Sequence, residues 1–294
     1  MKKFAALAFG AAMSFGAYAA PATMLPPGPV YLKFSGQEQI AINGASTWSD
    51  GKEINWGVFT VSTMEVGVPN TSNGQIDPGD DAPFFTNIRD GAQITGMFYG
   101  IESGTPSGTN AQGQPLNPFP ASKGYMDLYW RDLDSMSRTA LNGLNPEDVR
   151  CGYSCAVGFT EGTFLGRLFF DTGMDLGNPN NTIVGSVVPT GSPSGFSGQA
   201  DSYASVDTSV KGLWTEQLNS DYFRSYLGLR DLRFKNSYNA NPEWNSETNS
   251  NILGARIDDP GQAYALPEPG ALSLMGLAMV GMGAVLRRRE KKAA

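Results

Sequence analysis

Apolar residues in this chain recur in short runs with a period of two, broken by glycine, proline and asparagine. That alternation predicts β-strands with at least one buried face. Tyr31–Phe34 and Gln37–Ile42 open the series, with Gly36 between them as a turn or bulge. Ile54–Met64 is the strongest strand, because Trp56, Val58, Thr60 and Ser62 alternate with Asn55, Gly57, Phe59, Val61 and Thr63 in a β-branched and aromatic setting. Both of its faces carry apolar groups. Ile94–Ile101, Tyr125–Arg131, Phe159–Asp171, Thr182–Val188, Ala200–Val206 and Leu232–Phe234 continue the pattern.

The connections are rich in Gly, Pro, Asn and Ser, and two of them, Pro69–Pro83 and Ser103–Lys123, read as long surface loops. A short helix is predicted over Pro146–Val149, with Asn145 as its N-cap and Pro146 at the first helical position. Asp134–Asn142 and Trp214–Leu227 are further helix candidates. No fixed-period repeat interrupts the series, which weighs against a propeller or solenoid. Many short strands separated by turns predict an all-β fold, an antiparallel β-sandwich or jelly-roll-like domain with long surface loops.

Both ends of the chain depart from this pattern. Lys2 and Lys3 precede an apolar stretch from Phe4 to Ala17, and Ala17-Tyr18-Ala19 places small residues at both specificity positions of a signal peptidase site. Residues 1–19 therefore read as a signal peptide cut after Ala19, and residues 20–266 as the exported domain. No cysteine follows the apolar core, so no lipid is expected at the mature N-terminus. At the other end, residues 267–294 hold Pro267-Glu268-Pro269, an apolar run from Gly270 to Leu286, and the basic cluster Arg287, Arg288, Arg289, Lys291 and Lys292. Seventeen helical residues rise about 25 Å, slightly less than the ~30 Å hydrocarbon core, so the run spans a bilayer only marginally. The positive-inside rule keeps the arginines cytoplasmic and places everything before them on the outer side of that membrane.

The tripeptide, the apolar Gly- and Ala-containing helix and the terminal arginines, in that order from Leu266 onward, resemble the PEP-CTERM sorting signal of Gram-negative bacteria. The resemblance implies that an exosortase, a membrane-embedded cysteine transpeptidase-like enzyme, recognises Pro267, Glu268 and Pro269 and releases the body toward the cell surface. It further implies an exopolysaccharide-producing host and a role at the surface or in the biofilm matrix. A simple C-terminal membrane anchor is the alternative, and the identity of the tripeptide separates the two. Glu53–Met64 together with Gly96–Gly100 also resembles segments of other exported PEP-CTERM proteins, with no activity attached.

Composition narrows the chemistry. The chain has 21 basic and 28 acidic residues; setting aside two lysines at the front and five basic and two acidic residues at the end leaves 14 against 26, a net charge near −12. That balance argues against nucleic acid or anionic lipid as a partner, and the membrane contact expected is the C-terminal helix before cleavage. Histidine is absent, which removes Ser-His-Asp and Cys-His machinery and the commonest zinc and copper ligand. Cys151 and Cys155 are four apart, and in an oxidising compartment such a pair reads as a small disulfide; a redox-active pair or two free thiols are the alternatives.

Asp77, Asp80 and Asp81, and separately Asp171, Asp175 and Asn178, place oxygens near turn glycines, but calcium needs ~6–8 of them and neither cluster matches an EF-hand loop. No metal and no cofactor are expected. Of the five tryptophans, Trp56 and Trp130 sit in strand patterns and read as core, whereas Trp48 and Trp244 lie in polar surroundings and are the candidates for a sugar-stacking contact. The resulting expectation is a non-enzymatic exported surface or matrix protein. Its partners are signal peptidase and exosortase during export, and exopolysaccharide afterwards. The alternative is a carbohydrate-active protein, either a binding module or a hydrolase with a carboxylate pair.

Overall fold

Eight antiparallel strands carry the fold: β1 (Gly28–Ala41), β2 (Glu53–Val66), β3 (Ala92–Ser103), β4 (Ala121–Asp132), β5 (Thr163–Asp171), β6 (Phe196–Val206), β7 (Leu232–Ala240) and β8 (Ile252–Ala265). In this computed structural model, residues 25–106, 119–189 and 195–267 are described. Ala17, Ala19, Glu268, Pro269 and Arg287 to Arg289, with the segments around them, lie outside the described residues.

Each strand pairs with the next in sequence, and β1 pairs with both β2 and β8, from Val30↔Val66 on one side to Gly28↔Ala265 on the other. The sheet therefore closes on itself as an up-and-down barrel, which abolishes sheet edges. The all-β expectation holds. The sandwich or jelly roll does not, because closure leaves one continuous wall where a sandwich needs two sheets. The strand that closes it, β8, is the one the alternation failed to announce: Gly254, Arg256, Asp258, Pro260 and Gly261 interrupt its apolar pattern. At the fifth wall position two segments share the work. β5 pairs with β6 only over Leu168–Asp171, and beyond a loop the strand Ile183–Pro189 takes its place beside Phe196–Ser202.

Inward positions follow the pleat. Val30, Leu32 and Phe34 of β1 face Val61 and Met64 of β2, and with Met126, Leu128, Leu168 and Phe234 they form the main buried cluster. Gly36 continues this inward phase inside an unbroken strand. It is no turn: a Cβ there would meet the Val58 carbonyl at 2.8 Å. Eight strands leave an interior just wide enough for side chains, so large rings on one strand are matched by glycines on the next. One end of the barrel is shut by Leu25, Trp214 and Leu218, where a void of about 20 Å³ remains. Gln217 binds both ends of the described domain there: its side chain accepts from Leu25 N (3.2 Å) and donates to Leu25 O (3.0 Å), while its backbone carbonyl accepts from Leu266 N (2.7 Å).

The outer faces of β2 and β3 are covered as well. Trp56, Val58, Met97 and Tyr99 pack under Val149, Ala156, Phe159 and Trp244 from the loops after β4 and β7, which accounts for the two apolar faces of Ile54–Met64. Elsewhere the wall is wet, and Lys33, Lys235, Arg256 and Asp258 point outward and are exposed.

Helix is sparse. Pro146–Val149 forms as expected, and the Asn145 side chain accepts from Glu147 N at 2.9 Å. Asp134–Asn142 is not helical, because Gln93 clamps Thr139 through both its N–H (2.8 Å) and its carbonyl (2.9 Å) and Asp132 captures the N–H of Asp134. The Trp214–Leu227 candidate shrinks to Thr215–Leu218, followed by the hairpin Phe223–Ser225 and Gly228–Arg230. The Pro69–Pro83 loop contains all but Val68 of another hairpin, Val68–Asn70 with Gln75–Asp77.

Candidate functional site: a cavity inside the barrel

Opposite the end that Trp214 and Leu218 shut, the described residues leave the barrel interior unfilled. The reason is in the inward sequence: Gly185 of the Ile183–Pro189 strand, Ala200 and Ser202 of β6, and Ala121 of β4 stand where the other half carries leucine and phenylalanine. They leave a cavity of about 610 Å³. Its walls include Phe34, Ile40, Ile54, Phe98, Ile101, Met126, Phe170 and Val187, and it reaches the exposed loop residues Ile42, Asn43 and Gly44.

Five polar side chains interrupt this apolar lining: Glu38, Asn55, Asn236, Tyr238 and, in the exposed loop, Asn43, besides the small hydroxyls of Ser103 and Ser202. Glu38 is 5% exposed and accepts a hydrogen bond from Asn55 Nδ2 at 2.9 Å. Burial disfavours its charged form and pushes its carboxyl up to about 7, against a smaller opposing pull from the Asn55 bond. The Tyr238 hydroxyl donates to Ser186 O at 2.7 Å, and its acidity is suppressed first by burial and then by the neighbouring charge of Glu38. Asn55 Oδ1 and Asn236 Oδ1 are buried and have no hydrogen-bond partner. Among the described lining residues Glu38 is the one carboxylate, and none is lysine or arginine.

The sequence held a signal for Glu38 that period-two reasoning could have used. The inward phase of Val30, Leu32 and Phe34 runs on through Gly36 to Glu38, so an acid was due to face the core. Its flanking Gln37 and Gln39 point the other way. Gln39 accepts from Trp56 Nε1 at 2.9 Å and donates to Trp244 O at 3.2 Å.

The tryptophans singled out for sugar contact belong to that outer layer. Trp244 is 1% exposed, with its ring 5.7 Å from that of Trp56, so its polar neighbours in sequence misled: it fills the gap between the wall and the Pro242–Trp244 turn. Trp48 is half-buried. The Arg150 guanidinium sits between the two rings of Trp48 and Trp56, 4.6 Å from each centroid. Arg150 also forks onto buried Glu53, through Nη1 to Oε1 at 2.6 Å and Nη2 to Oε2 at 3.2 Å, and Glu53 Oε2 accepts in addition from Gly100 N at 2.6 Å. Beside this pair, Cys151 and Cys155 form a disulfide across the small hairpin Arg150–Gly152 and Cys155–Ala156.

The acidic turns serve the backbone. Asp171 accepts from Ser205 Oγ at 2.7 Å and pairs with Arg230 at 3.0 Å, while Asp175 accepts from Gly177 N and Asn181 Nδ2. Asp77 takes Asn70 Nδ2, and Asp80 and Asp81 are exposed. Among the described residues, no three His, Cys, Asp or Glu side chains converge as a metal set would.

The chain matches no family model and no curated protein. Among solved structures it has a remote likeness to Ail, the attachment invasion locus protein of Yersinia pestis, at 6% identity and a TM-score of 0.15, covering 82% of this chain and 100% of that one. The same protein in complex with the heparin analogue sucrose octasulfate gives 6% identity and a TM-score of 0.14 over the same shares. Scores this low carry no conclusion about either chain.

Proposed function

We propose that this protein is an exported, non-enzymatic binding barrel that takes a small, largely apolar molecule into its interior. In this reading the two termini address it: signal peptidase removes residues 1–19, and exosortase cuts at Pro267-Glu268-Pro269 to free it at the surface or in an exopolysaccharide matrix. The observation that carries the binding role is the cavity of about 610 Å³, which falls in the ~300–1,000 Å³ range of small-molecule sites and has their usual makeup of apolar walls and few polar groups. The Cys151–Cys155 disulfide supports an oxidising destination. Exposed Lys33, Lys235, Arg256 and Asp258 on the outer wall, with apolar residues inside, are the reverse of a lipid-embedded barrel and support a water-facing one.

Hydrolysis of a glycosidic bond calls for two carboxyls ~5–9.5 Å apart, and Glu38 faces the cavity as the one carboxylate among its described lining. That favours binding over catalysis. Burial of Trp244 likewise weakens the stacking-platform alternative.

Two measurements test the proposal on protein recovered from the extracellular or surface fraction. Mass spectrometry should find a form lacking the first 19 residues and the run Gly270–Leu286; an intact C-terminal peptide on the released protein would overturn the sorting role. Titration with the neutral fluorescent probe N-phenyl-1-naphthylamine should show saturable uptake that Ala200→Trp, which fills the cavity, blocks. Absence of uptake by the unaltered protein would overturn the binding role.

A further inference from the structure

Resting on that binding role, we infer that the ligand is an amphiphile whose polar head is a protonated amine, paired with Glu38. Glu38 is the one carboxylate among the described lining residues, it is 5% exposed, and Asn55 Nδ2 at 2.9 Å is its one side-chain hydrogen-bond donor. A buried carboxylate is tolerated when it is paired and hydrogen-bonded, and an alkylammonium brings a positive charge and three N–H donors on one atom. Tyr238, also in the lining, supplies no donor, since its hydroxyl already donates to Ser186 O.

Charge selects among donor heads. No lysine or arginine stands among the described lining residues, so a carboxylate or phosphate head would enter without a counter-ion and meet Glu38. An ammonium meets the opposite situation. Its charge offsets the burial that otherwise holds the Glu38 carboxyl near 7, and pairing makes a buried charge tolerable. The negative body of the protein also draws cations toward the mouth. The apolar walls fix the remainder of the molecule as hydrocarbon or ring.

A matched series separates head from body. Decylamine, decanol and decanoate share one chain, and each is titrated at pH 8 against N-phenyl-1-naphthylamine already bound to the exported protein. Decylamine should displace the reporter at a concentration at least about tenfold below that of decanoate, with decanol between, the size of effect one paired buried charge gives. Glu38→Gln, which keeps shape and the cavity volume, should bring amine and acid within about threefold while leaving decanol unchanged within about twofold. Decanoate equal to or better than decylamine overturns the inference, as does an amine preference that survives Glu38→Gln. Failure of the reporter itself to bind would sink the binding role, whereas reporter uptake without head-group preference sinks only the amine.

Discussion

Phe98 of β3 lies across Gly57 of β2, its register partner, so closely that a Cβ on Gly57 would stand 2.4 Å from Phe98 Cζ and 2.4 Å from the Gln37 carbonyl. Two pairs along, the roles reverse: Phe59 covers Gly96, whose Cβ would meet the Phe59 ring at 2.3 Å. Ring over glycine, alternating between neighbouring strands, lets both aromatics fit a narrow interior. Gly57→Ala should therefore destabilise the barrel by at least about 1–3 kcal/mol in urea unfolding, the usual cost of overpacking. Adding Phe98→Leu should recover only part of that loss, because the Gln37 carbonyl stays where it is.

Glu38 should make stability depend on pH. Its folded value, about 7, lies above the ordinary 4.5, so the folded state holds a proton that the unfolded state has lost. The contribution is complete below about pH 4.5, and it is lost as pH rises through 7, a change of roughly 3 kcal/mol in this direction. Chemical denaturation of the unliganded protein at steps from pH 4 to 8 should show Glu38→Gln gaining on the wild type across that interval. A constant difference between the two would refute the shift.

Glu53 and Arg150 are 0% and 3% exposed at their side chains, and their pair pins the outer layer to the barrel. Removing one partner leaves the other charge buried, so Glu53→Gln should cost about 3–5 kcal/mol. Cys151→Ser, next in sequence, should cost less, about 2 kcal/mol for so short a loop in the chain-entropy model. Neither residue lines the cavity. Uptake of the fluorescent reporter under conditions where the variants stay folded should therefore be retained, which distinguishes loss of the outer layer from loss of the cavity.

Much of the wall was legible from alternation alone. Ile54–Met64 and Ile94–Ile101 both became long strands, and the apolar groups on both faces of the former have their explanation in the layer packed outside it. Closure was not legible, since it depends on β8, where Pro260 and the polar residues around it sit opposite Lys33 and satisfy the ladder without an apolar signature. The cavity hid for a related reason. A small residue at an inward position looks the same in sequence whether a ring from the neighbouring strand fills the gap, as at Gly57, or nothing does, as at Ala200. Trp244 reversed its expected exposure because its surroundings in sequence are polar while its surroundings in space are Trp56 and Phe159.

The hold of Gln217 on both Leu25 and Leu266 fixes an orientation. The two ends of the domain leave side by side from the shut end of the barrel, and the loop Ile42–Gly44 that borders the cavity lies at the other. A domain tethered through whatever follows Pro267 therefore stands with its floor toward the attachment point and its opening toward the surroundings. On the proposed reading, loading of the barrel and cutting of its tether would take place at opposite poles, so a full cavity would present no obstacle to the exosortase and an uncut tether none to the ligand.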